Sequence, residues 1–133
     1  QIAGDRVDRL IVVANVLETS RRRQSADGVW SEITRQLERR CREPGAPAAA
    51  FARLASIRQR DGNATDAIEC YRQALVLDYR RVDWRLNLAS LLADTGNVRE
   101  ALRELGVCLQ LRPEYAAAKQ LADRLSVDAR FVK

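Results

Sequence analysis

Apolar residues in the middle of this chain recur at three- and four-residue steps. Phe51, Leu54 and Ala55 follow that spacing before Asp61 and Gly62, and Ala67, Ile68, Tyr71, Ala74 and Leu75 resume it afterwards. The pattern predicts two amphipathic helices that meet at a glycine. It then repeats. Gly28, Gly62 and Gly96 stand 34 residues apart and are preceded by Asp27, Asp61 and Thr95. Four residues after each glycine come Glu32, Asp66 and Glu100; nine after it, Leu37, Tyr71 and Leu105; thirteen after it, Cys41, Leu75 and Leu109. Glycine suits such a corner because it enters the left-handed region without the penalty a Cβ brings. Ser31 and Thr65 read as N-caps just beyond it, and the acidic residues at 32, 66 and 100 are expected in the first helical turn, where the helix dipole favours them. Pro113 closes the third unit, and Pro44 falls one residue from the equivalent place in the first. Helices are therefore expected at about 5–24, 29–42, 47–60, 64–78, 82–94, 98–111 and 115–127. A pair of helices this short cannot bury its apolar face alone, so neighbouring pairs must stack into an all-α solenoid of about seven helices.

Composition removes several functions from consideration. The 133 residues are 47% apolar, enough for a core, and contain no histidine. That absence excludes Ser/His and Cys/His catalysis, His-ligated zinc and a histidine pH switch. Cys41, Cys70 and Cys108 lie too far apart for a CxxC pair, so no metal or other cofactor is expected, and the three read as free thiols packed as small apolar residues. Unpaired thiols tilt the compartment towards a reducing cytoplasm. No apolar stretch approaches the length of a membrane span; Leu10 to Leu17 is interrupted by Asn15. The absence of methionine reads as a piece of a longer chain, with this segment expected as the C-terminal part of a larger bacterial protein. The charge of +5 is dispersed, with segments 1–46, 47–81, 82–115 and 116–133 carrying +2, +2, −1 and +2. Arg21-Arg22-Arg23 is the only basic run and Arg80-Arg81 a weaker second, so a nucleic-acid surface ranks low.

The 34-residue unit resembles the tetratricopeptide repeat. Residues 48–81 carry the resemblance through Phe51, Leu54, Ala55, Gly62, Ala67, Tyr71 and Ala74, and residues 82–115 through Leu88, Ala89, Gly96, Ala101, Leu109 and Pro113. Ala55 with Ala67, and Ala89 with Ala101, allow the helices of a unit to approach closely. Residues 5–46 match loosely, as a degenerate unit with a long first helix, and 116–128 as a C-terminal capping helix within a single domain spanning 1–133. Tyr79 stands where the family has its closing proline, Arg85 at a place normally apolar, and Cys108 for a small alanine, so the second unit boundary is expected to be distorted.

The resemblance implies a right-handed α-solenoid that binds protein or peptide along a concave groove lined by the first helix of each unit, with no catalysis and no small-molecule substrate. Helical spacing then selects the groove candidates: Arg53, Ser56 and Arg60 in the second unit with Ala49 and Ala52, and Asp83, Leu86, Asn87, Ser90 and Asp94 in the third. Glu18 and Arg22 follow in the first unit by register. Trp84, with Arg80 and Arg81, is the candidate contact at a solenoid edge, since Trp and Arg dominate interface hot spots. Family members that hold chaperone C-termini use Lys and Asn at fixed inner-helix places. Here Asn87 alone matches, with Ala52, Ser56, Ala117 and Leu121 elsewhere, so that clamp is not expected. Arg53 and Arg60 are left as possible attractors of an acidic peptide. A rigid spacer or self-association element without a groove ligand is the alternative.

Overall fold

A computed structural model describes residues 2–19 and 23–131, and among these every regular element is a helix. They run α1 (Ile2–Thr19), α2 (Arg23–Arg42), α3 (Ala48–Arg60), α4 (Ala64–Leu77), α5 (Val82–Asp94), α6 (Val98–Leu111) and α7 (Ala116–Phe131). Each helix packs on the next along the chain, and α5 also touches α7. The result is the expected all-α solenoid.

In the two regular pairs the corners obey the repeat. Gly62 and Gly96 have φ of 81° and 89°, the left-handed region where a side chain is strained. Each glycine sits in a Schellman turn. The N–H of Asn63 donates to the carbonyl of Arg58 at 2.8 Å and that of Gly62 to Gln59 at 3.1 Å; Asn97 to Leu92 and Gly96 to Ala93 repeat this at 2.7 and 3.1 Å. Asn63, and not Thr65, caps α4 by accepting from the N–H of Asp66. Asp66 and Glu100 lie in first turns as expected.

The first pair departs from the repeat. Gly28 and Ser31 lie inside α2, so neither makes a corner or a cap, and Glu32 is well past the first turn. Glu32 instead pairs with Arg35 and accepts a hydrogen bond from Gln36 at 2.9 Å. The helices have 18 and 20 residues, against 13 or 14 in the four that follow. A glycine within a helix costs only about 1 kcal/mol relative to alanine, which packing of the flanking turns readily outweighs. The left-handed glycine of this unit is Gly45, after α2, with φ of 75°.

Two apolar clusters fill the stack. The smaller holds Val7, Ala14, Trp30, Ile33 and Leu37 of the first pair against Ala50, Leu54 and Ile57 of α3. The larger runs from Ala52 and Ala55 on the other side of α3 through α4, α5 and α6 to Leu121 and Leu125 of α7. Ala55, Ala67, Ala89 and Ala101 are fully buried, the close approaches the resemblance implied.

The boundary between the second and third units is regular, contrary to the distortion expected of it. Asp78 ends α4 with φ −140° and ψ 84°, and Arg112 ends α6 with φ −143° and ψ 89°. The departures Tyr79 and Arg85 compensate one another. Arg85 is buried, donates from Nε and Nη2 to the Tyr79 carbonyl at 3.1 and 2.9 Å, and covers the Tyr79 ring at 4.2 Å from its centroid. Its remaining charge meets Glu104 of α6 at 2.7 Å. The Cys108 thiol donates to the Val82 carbonyl at 3.6 Å. A connection closed elsewhere by proline is closed here by a buried guanidinium.

Candidate functional site

The first helices of successive pairs are α1, α3, α5 and α7, and small residues on α3 leave a depression between α3 and α5. Its volume is about 390 Å³, and Ala49, Ala52, Arg53, Ser56, Tyr71, Arg81, Asp83, Trp84 and Asn87 line it. Six residues chosen from helical spacing, Ala49, Ala52, Arg53, Ser56, Asp83 and Asn87, thus come together.

The charged side chains at this depression, with Asn87 and the Tyr71 hydroxyl, each have a partner. Arg53 reaches Asp8 of α1 at 2.7 Å, an ion pair that ties the first inner helix to the second. Arg81 grips Asp83 with its fork, Nε to Oδ1 at 3.1 Å and Nη2 to Oδ2 at 2.9 Å. This hydrogen bond holds the Asp83 carboxyl below its ordinary range, against the opposing effect of burial. Asn87 Nδ2 donates to the Tyr71 hydroxyl at 3.3 Å. Burial pushes that phenol above its ordinary range, and the Asn87 bond acts the other way.

Other candidates fall elsewhere. Arg60 does not line this depression: it stacks on Trp30 of α2 at 4.3 Å, pairs with Asp61 at 3.4 Å, and lines a separate depression with Asp27 and Thr34. The end of α3 lies beside the start of α2, so the nearest apolar surface for its side chain is that indole. Leu86 and Ser90 are half-buried and Asp94 is exposed, and none of the three lines the depression. Arg22 and the side chain of Glu18 lie outside the described residues, as does the run at 21–23 apart from the backbone of Arg23. Trp84 is no free-standing edge anchor: it is 7% exposed, packs in the larger cluster, and carries Arg81 over its ring at 4.0 Å. Trp84 and Arg81 therefore belong to the depression itself, while Arg80 is exposed on the connection before α5.

Sequence reasoning missed Asp8 and the part played by Tyr71. Spacing within one helix cannot show a pair made across two units, and Tyr71 looked like core because it is: only 2% of it is exposed. The thiols show no activation. Cys108 is buried and Cys41 half-buried, both pushed up to about 11 by burial, and the half-buried Cys70 is raised by the same cause. Among the described residues no group of three or more His, Cys, Asp or Glu could hold a metal ion, and no helix is long and apolar enough to cross a membrane.

No family model matches the sequence, and no curated protein matches it. Solved structures do match. MamA superposes with a TM-score of 0.73 at 15% identity, over 92% of this chain and 68% of its own. The second TPR domain of human RPAP3, solved with the HSP70 peptide SGPTIEEVD, gives 0.70 at 16% identity over 93% and 98%. The Yersinia enterocolitica secretion chaperone SycD, solved with a peptide of the translocator YopD, gives 0.59 at 22% identity over 92% and 88%. Together with the paired helices, the glycine corners and the buried alanines, this likeness identifies the fold as that of the tetratricopeptide repeat.

Proposed function

We propose that this chain is a protein-interaction module that takes a peptide segment of a partner along its concave face, centred on the depression between α3 and α5. The observation that carries the reading is the arrangement there: small residues Ala49, Ala52 and Ser56 open a space beside Tyr71 and Trp84, rimmed by Asn87 and two fixed arginines. Concave sites with an apolar floor and a few convergent polar groups are where ligands bind. Peptides bound by the RPAP3 domain and by SycD support the same use of the fold. The reading contains no catalytic step and no cofactor.

Random dodecapeptides displayed on phage and selected on the whole chain test it. Peptides should enrich, lose binding when Ser56→Trp fills the depression, and keep it when Arg72→Ala alters the outer helix α4. Failure to enrich, or binding indifferent to Ser56→Trp, would favour the alternative of a rigid spacer without a groove ligand.

A further inference from the structure

The depression contains two arginines, yet it offers little net charge to a ligand. Arg53 is neutralised by Asp8 at 2.7 Å and Arg81 by Asp83 at 2.9 Å. An acidic segment would have to displace a carboxylate from a charge-assisted hydrogen bond to gain either cation. The Arg81 guanidinium is fixed as a plane. Two of its donors along one edge are held by Asp83, and Trp84 lies beneath it with 4.0 Å from the guanidinium carbon to the ring centroid. Even so, 43% of the side chain remains exposed, beside exposed Ala49 and Ser56. A guanidinium is weakly hydrated and stacks on aromatic faces, and one already oriented loses little freedom in doing so.

We infer that, given the groove reading above, the occupant of this depression is a peptide segment presenting an uncharged aromatic side chain, which lies over Arg81 and extends the Trp84–Arg81 stack, next to Ala49 and Ser56. Arg81 and Trp84 then set specificity, and Asp83 positions the guanidinium. The preference separates this groove from one that grips acidic tails.

Peptides from the display selection test the chemistry. The enriched set should share a Trp, Tyr or Phe without clustered acids. Exchanging that residue for Leu in a synthetic peptide, or Arg81→Lys in the chain, should weaken binding several-fold to about tenfold, as loss of a desolvated cation–π contact does. Arg81→Lys keeps the charge and loses the plane, and an unchanged circular dichroism spectrum shows that it still folds. In NMR titrations the peptide should shift the Trp84 indole N–H and the Arg81 Nε–H, with affinity changing little between roughly 50 and 500 mM salt. Acidic peptides whose binding is blocked by Ser56→Trp and falls steeply with salt would overturn this inference and leave the groove standing. Full affinity in Arg81→Lys would overturn it as well. Binding untouched by Ser56→Trp, or no enrichment, would sink the groove reading and this inference together.

Discussion

The first helix pair and the two that follow solve the same packing problem with different side chains. At the register position where α4 and α6 carry Ala67 and Ala101, α2 carries Ile33, and all three are completely buried. Where α4 begins with Ala64 and α6 with Val98, the same register gives Trp30, and α2 has already run for two turns from Arg23. Alanine at the crossing lets backbones approach closely, and that approach fixes where the turn must fall. With isoleucine there the contact is made by larger side chains, Trp30, Ile33 and Leu37, in place of alanine. The turn is then free to move, which is how a glycine in perfect register came to lie in mid-helix. A sequence repeat specifies a structural repeat only where the contact residues repeat too.

The comparison implies two cores of separable stability, and the largest expected effects probe that. Leu37, in the first cluster, and Leu105, in the second, are 1% and 0% exposed. Truncation of either to alanine should cost about 2–5 kcal/mol. Since each unit of a solenoid contacts only its neighbours, Leu37→Ala should lower amide-exchange protection most in α1 and α2, and Leu105→Ala most in α5 and α6. Uniform loss in both variants would make the chain one cooperative unit and remove the distinction.

Next in size is the buried guanidinium of the regular boundary, for which the first pair has no counterpart among the described residues. Glu104→Ala leaves Arg85 buried without its carboxylate and should cost about 1.5–3 kcal/mol in urea titration. Replacing both, as Arg85→Met with Glu104→Leu, should cost less than the single change, because the desolvation penalty leaves with the charges. A double variant weaker than Glu104→Ala would mean that the Tyr79 carbonyl bonds hold the connection by themselves.

Much of this architecture was legible in the sequence, and what was not has a common cause. Helical spacing and the 34-residue register gave α3 to α6 to within a residue and the start of α7, though not its end four residues beyond the expected one, and placed Arg53, Ser56, Asp83 and Asn87 on one face. The start of α2, the Tyr79–Arg85–Glu104 network, the Asp8–Arg53 pair and the turning of Arg60 onto Trp30 were hidden. Each is decided by a contact between elements, and spacing along one helix carries no information about a neighbour's side chain. The alanine contacts mark the border between the two kinds of knowledge. Ala67→Ile imports the first pair's solution into the second and should overpack it by about 1–3 kcal/mol; a neutral result would show that the crossing distance, and not the residue, is set elsewhere.

The smallest effect separates the two kinds of pair most sharply, because it differs in sign. A Cβ added at Gly28, Gly62 or Gly96 would meet no atom within 4 Å, so packing cannot decide the outcome and backbone conformation must. At Gly62 and Gly96, with φ of 81° and 89°, alanine is forced into the left-handed region at about 1–2 kcal/mol, and each substitution should lower the melting temperature. Gly28 lies within α2, where alanine has the higher helix propensity, so Gly28→Ala should raise stability by about 0.5–1 kcal/mol. Three glycines in equivalent sequence positions then give two losses and one gain in the same thermal melts. A loss of similar size at Gly28 would mean that the corner does fall there and that the first pair follows the repeat after all.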